Sequence, residues 1–264
     1  MKINSIKVAR NYLNSVGLLE ILQVYGTSSK KDVASVINPV PLSDPISIDF
    51  VDLARLHSLI TTRKCLNVLE LGSGFSSLVI AHALKMNSDC SNGLLPKSLR
   101  RENPWHLDSI DESKAWLEIT MSRIPANLAP YVTFHFRSVS LATFCDRPVT
   151  YYRDIPNHPY DLIYVDGPSQ YSHGESDWLG FSTHDPGRMP MSADVLRIEH
   201  FLQPGTLVLF DGRSANAGFF EMNAQKKWRK IRSRFHDQTI FIDESDVLGK
   251  YNKEFLRYWG KVNF

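Results

Sequence analysis

The chain has 264 residues, 43% of them hydrophobic and 22% charged, with a formal net charge of +2. That size and balance suit one α/β domain with a sizeable core, and so small a charge does not by itself support a nucleic-acid partner. Cys65, Cys90 and Cys145 lack CxxC spacing, which argues against a disulfide framework and a structural zinc site and for a reducing, cytoplasmic setting. No run of about 18 apolar residues is present, so a membrane span is not expected.

In chain order, the segment MKINSIKVARNYLNSVGLLEIL spaces its apolar residues at helical intervals and lacks the apolar block of a signal peptide. Ile3, Ile6, Val8, Leu13, Val16, Leu19 and Leu22 can share one broad face, which predicts a docked amphipathic helix. Residues 27–45, rich in Ser, Pro and Asp, read as a linker or irregular lid, and ISIDFVDLARLHSLITTRK as a helix with Asp49 or Asp52 near its start. The chain thus divides into a helical extension or lid, 1–48, and a main domain, 49–264.

From residue 67 strands alternate with helices. NVLELG, WHLDSID, YVTFHFRSV, YDLIYVDGP and GTLVLFDG read as strands. SSLVIAHALKM, ESKAWLEITMSRI, MSADVLRIEHFL and FFEMNAQKKWRKIRSRF read as helices, 88–104 as a polar insertion, and QTIFID with FLRYWGKVNF as a closing strand pair. Buried strands alternating with helices predict a mostly parallel sheet covered on both faces, with ligands at the carboxyl ends of its strands.

In LELGSGFSS, Gly72 and Gly74 permit a tight turn, and the helix that follows presents unpaired N–H groups near Ser76 and Ser77. A GxGxxG dinucleotide fingerprint would need a glycine where Ser77 stands, and Glu70 would repel a pyrophosphate but accept a cation. VLELGSGFSS resembles the first motif of the class I S-adenosylmethionine-dependent methyltransferases. HLDSIDESKAWLE looks like their second, with Asp111 in place of the acid that holds the ribose hydroxyls. FHFRSV resembles the adenine-side segment, although Ser138 stands where many members carry Asp. The resemblance covers roughly residues 50–264 and is nearest to the small-molecule and sugar O-methyltransferases. It implies a Rossmann-like class I methyltransferase fold of the α/β class: a mostly parallel seven-stranded sheet, helices on both faces and a helical N-terminal extension. It also implies S-adenosylmethionine as cofactor, held by Glu70, Gly72, Ser73, Gly74, Asp111, Ser138 and Asp166.

Asp166 and Asp211 close the fourth and fifth core strands. The pair resembles that of catechol-type O-methyltransferases, which implies Mg²⁺ or a similar hard cation on Asp166 and Asp211, with Asn216 in place of a third ligand where Gly212 stands. The residues alone equally allow Asp166 or a nearby histidine as a metal-free base, or carboxylates that merely cap turns. The loop 169–194 offers His173 and His184 as bases, Tyr171, Trp178 and Phe181 as pocket walls, and Arg188 and Arg213 for an anionic group. The catalytic set is therefore Asp166, His173 and Asp211. The run Lys226, Lys227, Arg229, Lys230, Arg232 and Arg234 reads as a solvated helix face rather than an RNA site. The expected partner is a small-molecule acceptor, carbohydrate-like or anionic; nucleic acid and membrane are not expected, and a homo-oligomer is left open. Two other classes remain: a nicotinamide-dependent oxidoreductase and a non-catalytic binding protein with the same fold.

Overall fold

Gly17 makes two helices of the N-terminal stretch where the periodicity predicts one. The computed structural model describes residues 3–27, 48–169, 190–233 and 237–260. Helix α1 spans Ile6–Ser15 and α2 Leu19–Thr27. Between them Gly17 takes a φ of +79°, which resets the helical phase. Ala9, Leu13, Leu18 and Leu22 are fully buried as a result, whereas Ile6, expected on the docked face, is 63% exposed. These helices share a core with Leu53 and Ala54 of α3 (Phe50–Arg63) and Leu78, Val79 and Ala81 of α4 (Phe75–Cys90). Asp49 caps α3, its Oδ1 accepting from the N–H groups of Val51 (2.8 Å) and Asp52 (3.1 Å).

The strands are β1 Asn67–Leu71, β2 His106–Asp111, β3 Val132–Phe136, β4 Val139–Phe144, β5 Arg147–Tyr152, β6 Leu162–Val165, β7 Met191–Ser192, β8 Leu207–Asp211, β9 Trp228–Ser233 and β10 Gln238–Asp243. The remaining helices are α5 Lys114–Ser122, α6 Asp194–Ile198, α7 Ser214–Asn223 and α8 Lys250–Tyr258. The seven-stranded sheet runs β3-β2-β1-β6-β8-β10-β9, with β10 antiparallel to both neighbours and the other pairs parallel. The pleat sends alternate residues to two cores: Val68 packs on one side of β1, Leu69 and Leu71 on the other.

Three segments depart from the sequence expectation. Of the basic run, predicted as helix, Arg229, Lys230 and Arg232 lie in edge strand β9, and Arg234 lies outside the described residues; α7 stops at Asn223, and Ala224 is already extended. Trp228 and Ile231 pack on opposite faces of the sheet, as residues an odd number apart do in a strand. Of FLRYWGKVNF, predicted as a strand, residues 255–258 belong to α8, whose Phe255 packs with Trp259 under the sheet, and 261–264 lie outside the described residues. The hairpin β4–β5 was not foreseen: Cys145 and Asp146 take φ of +50° and +59°, the left-handed pair of a two-residue turn. With β7 it forms a three-stranded sheet over one core face, through Val149 and Tyr152.

The polar insertion is anchored from within. Arg101 donates to Asp161 Oδ1 at 2.9 Å, both side chains nearly dry, and its guanidinium lies 3.9 Å from the Phe255 ring centroid. Among the described residues no helix is long and apolar enough to cross a membrane.

Candidate functional site

The carboxyl end of β1 carries a buried carboxylate under a glycine turn. Glu70 is 0% exposed, and its Oε2 accepts from the hydroxyls of Ser77 (2.5 Å) and Ser109 (2.6 Å). Ser77 Oγ accepts in turn from the Gly74 N–H at 3.1 Å. The residue that breaks the dinucleotide fingerprint is thus a strut between turn and carboxylate. Burial pushes the Glu70 carboxyl up to about 7, and the serine hydroxyls hold it back. Glu70 Oε1 is buried without a hydrogen-bond partner.

Gly72 adopts φ of +91°, and a β-carbon there would lie 2.7 Å from Gly167 N and 2.8 Å from the Asp166 carbonyl carbon. A β-carbon on Gly167 would lie 2.5 Å from the Tyr152 hydroxyl. Two glycines therefore let the ends of β1 and β6 touch. A β-carbon on Gly74 would meet nothing nearer than Ser76 Oγ at 3.9 Å, so the backbone beside the α4 N-terminus stands open.

Asp111 ends β2 beside this turn. Its Oδ2 accepts from Ser73 N (2.9 Å) and Ser73 Oγ (3.0 Å), its Oδ1 from Ser113 N (2.8 Å), and Trp116 Nε1 donates to the Ser73 carbonyl at 2.7 Å. Burial first, then the neighbouring Glu112, pushes the Asp111 carboxyl up to about 6. Arg137 N donates to the Asp111 carbonyl at 3.0 Å, so the exposed Ser138 follows at the same rim, where its own carbonyl accepts from Arg153 N. Phe136, paired with Asp111 across the strands, is 50% exposed there.

At the next two strand ends the acids are already engaged. Asp211 accepts from the Tyr164 hydroxyl through Oδ2 and from Gln238 Nε2 through Oδ1 at 3.1 Å. Asp166 is 53% exposed at its side chain, and Arg213 Nε stands 3.5 Å from its Oδ1. Arg213 also donates to the carbonyls of Asp166 and Pro168. It holds the β6 end rather than standing free for an anionic group. Loss of water raises the Asp211 carboxyl. Asp49 and Asp52 of the α3 start add negative charge near Asp211, and Asp52 is pushed up to about 7 by burial and then by Asp211. Asn216 accepts from Ser192 N at 3.3 Å, a contact to β7. Among the described residues no group of three or more His, Cys, Asp or Glu side chains gathers as a metal site.

The structure thus links Ser73 to Asp111 directly and Gly74 to Glu70 through Ser77, with Gly72 in the same turn and Ser138 beside Asp111. Asp166 and Asp211 form a second group around Arg213 and Tyr164. His173, His184, Tyr171, Trp178, Phe181 and Arg188 lie outside the described residues. Sequence reasoning missed Ser109, Glu112, Tyr152 and Tyr164. Glu112 accepts from the Tyr152 hydroxyl (2.6 Å) and from Ser169 N (2.8 Å), tying β5 and the β6 end to β2. A polar residue inside an apolar strand, as in HLDSID and DLIYVD, was the available signal.

No protein-family model matches the chain, and no curated protein matches it. Among solved structures, a methyltransferase from Geobacter sulfurreducens matches 92% of this chain and 100% of its own, at 12% identity and a TM-score of 0.50. An O-methyltransferase from Bacillus cereus in complex with SAH matches 92% and 100%, at 13% identity and a TM-score of 0.47. The SAH-bound methyltransferase PaMTH1 from Podospora anserina matches 91% and 94%, at 13% identity and a TM-score of 0.49. The Geobacter likeness, with the seven-stranded sheet and its one antiparallel strand, carries the conclusion: this chain has the Rossmann-like fold of the class I methyltransferases.

Proposed function

We propose that this chain is an S-adenosylmethionine-dependent methyltransferase that methylates a hydroxyl of a small, carbohydrate-like acceptor. The observation that carries the reading is the buried Glu70 with its unpartnered Oε1 beneath the open turn at Gly74. A fully buried carboxylate oxygen without a donor suits an ammonium and disfavours a pyrophosphate, which also speaks against a nicotinamide dinucleotide. S-Adenosylmethionine, when bound, supplies a methyl group on a sulfonium that carries its own leaving group.

On this reading Glu70 receives the ammonium of the amino-acid portion, and the backbone of Gly72, Ser73 and Gly74 lies along it. Asp111 takes the ribose diol. Three of the roughly four acceptor positions of that carboxylate are used by Ser73 and Ser113, so the Ser73 hydroxyl turns aside when the diol binds. Ser138 and Phe136 flank the adenine side. Asp166, at the exposed end of β6, takes the acceptor's hydroxyl proton as its oxygen attacks the methyl carbon, and His173 assists from the 169–194 loop. Asp211 fixes Tyr164 behind it. The start of α3 stands near this end, where Asp49 adds negative charge beside Asp211. The work of the site is orientation and exclusion of water.

The two aspartates are poorly set for a resident divalent cation: the Arg213 guanidinium stands beside Asp166, each Asp211 oxygen has one acceptor position taken, and among the described residues no third His, Cys, Asp or Glu joins them. The second reading, a protein that keeps the fold and binds cofactor without turnover, is separated by activity alone.

Calorimetry with S-adenosylmethionine tests the proposal. Wild type binds in the micromolar range, Asp111→Ala binds at least tenfold more weakly, and Mg²⁺ or EDTA changes neither. A folded wild type that binds neither S-adenosylmethionine nor S-adenosylhomocysteine refutes the assignment.

A further inference from the structure

Glu70 is a costly residue to bury, and the groups packed around it show how its charge is kept. Ser76 and Ser77 face it from α4, Ser109 from β2, and Asp166 and Tyr164 from β6. None of these is a cation. Ser77 and Ser109 both donate to the same oxygen, Oε2, and stand 3.3 Å from one another. Both donors within hydrogen-bond distance, Ser77 and Ser109, thus converge on one oxygen, and the other has no hydrogen-bond partner, while the Ser76 hydroxyl also lowers the carboxyl from α4. Ser77 has a second engagement, since its oxygen accepts from the Gly74 N–H. One hydroxyl therefore couples the state of Glu70 to the shape of the glycine turn.

We propose that Ser77 and Ser109 are positioning residues that hold Glu70 ionised through one oxygen, reserve the other for the cationic group of the ligand, and so set the pH below which the ligand is refused. The inference rests on the cofactor reading given above and adds to it the two hydroxyls and the acid limit. Hydrogen bonds to the charged form favour that form, whereas burial and the Asp166 charge oppose it. With the carboxyl already pushed up to about 7, the balance lies close to neutrality, and loss of either hydroxyl tips it toward the protonated acid. A protonated Glu70 offers an ammonium no charge, and its proton competes for the same oxygen.

The test is the pH dependence of S-adenosylmethionine and S-adenosylhomocysteine binding between pH 5.5 and 8, for wild type, Ser77→Ala, Ser77→Thr, Ser109→Ala and Glu70→Gln. Each protein's folding is checked by thermal unfolding at the same pH values. Wild-type affinity should fall below neutrality, approaching about tenfold per pH unit where one proton is taken up. Ser77→Ala and Ser109→Ala should each move this acid limb upward by roughly one pH unit, and Ser77→Thr should restore it. Glu70→Gln should bind weakly and keep only the lower limb near pH 6 that Asp111 contributes through the ribose. 5′-Methylthioadenosine, which lacks the amino-acid portion but keeps the ribose, should show that lower limb alone, unmoved by the serine variants. Should Ser77→Ala fail to fold, Ser109→Ala reports on the same oxygen without touching the turn. Wild type that binds both ligands with flat affinity across the range overturns the inference and leaves the cofactor reading standing. Serine variants that weaken binding equally at every pH do the same, since a purely structural role gives that pattern. No binding by folded wild type at pH 8 overturns both.

Discussion

A single methyl group on Gly72 separates steric from chemical roles at the turn. The β-carbon would lie 2.7 Å from Gly167 N in a backbone of φ +91°, and both neighbours are main chain that cannot step aside. Gly72→Ala should therefore cost on the order of 3 kcal/mol, read as a lowered urea midpoint, and abolish cofactor binding. Gly74→Ala, which meets only Ser76 Oγ at 3.9 Å, should fold well and lose affinity only. A second residue acts through charge. His57 is fully buried, its Nδ1 2.7 Å from the Tyr12 hydroxyl and its Nε2 3.0 Å from His82 Nδ1. Burial and then His82 depress its pKa from 6.5 to about 3. A base with a lowered folded pKa leaves the unfolded chain binding more protons. Its contribution is therefore complete above pH 6.5 and is lost as the pH falls toward about 3. Raised carboxylates such as Glu70 act in the opposite sense, so the difference between proteins is the proper readout. Stability measured by urea from pH 4 to 7 should rise with pH more steeply in wild type than in His57→Leu, by up to roughly 1.4 kcal/mol per unit. Equal slopes would mean that His57 is not the source.

At the scale of elements, the insertion 88–104 depends on one buried pair. Arg101 and Asp161 are 3% and 0% exposed at their side chains, and Asp161 also accepts from Leu66 N at 2.6 Å. Arg101→Met strands a buried carboxylate and should destabilise by about 3–5 kcal/mol. Adding Asp161→Asn should recover part of that loss, and strict additivity in the double-mutant cycle would count against a direct interaction. Sequence showed this segment as polar and stopped there, because nothing local marks one arginine among its neighbours as buried. The sheet elements were more legible. β1, β6 and β8 are mostly apolar and buried and were expected as buried strands, and Asp49 or Asp52 was expected near the α3 start. β9 was misread because Trp228 and Ile231, three apart, satisfy a helix as one face and a strand as two. Only Phe220 and Phe241 on one side and Ile240 on the other decide between them. The hairpin β4–β5 was invisible because its turn, Cys145-Asp146, lacks the usual Asn-Gly signal.

For the whole molecule, the question of a nucleic-acid partner is one of distributed charge. Lys226, Arg229 and Lys230 of the basic run are paired with Asp243, Glu244 and Glu221. The formal net charge is only +2. Single-stranded RNA should accordingly bind no more tightly than the nonspecific range of about 10⁻⁴–10⁻⁶ M at physiological salt, by fluorescence anisotropy. A submicromolar value would reopen the RNA reading. The basic strand has a plainer use at the sheet edge, where charged side chains discourage pairing with another chain.

The sequence by itself determined the alternation of buried strands with helices, the glycine turn after β1 and the carboxylates at the ends of β1, β2, β6 and β8. These are local matters, since periodicity, turn chemistry and strand-end polarity are written within a few residues of one another. Tertiary structure alone decided what each carboxylate is free to do. Ser77 and Ser109 reach Glu70 from a helix and a neighbouring strand, Tyr164 and Gln238 each take an acceptor position on Asp211, and Arg213 claims the end of β6. Hydrogen-bond capacity is consumed by partners far apart in the chain, and no spacing of residues reveals which oxygen remains.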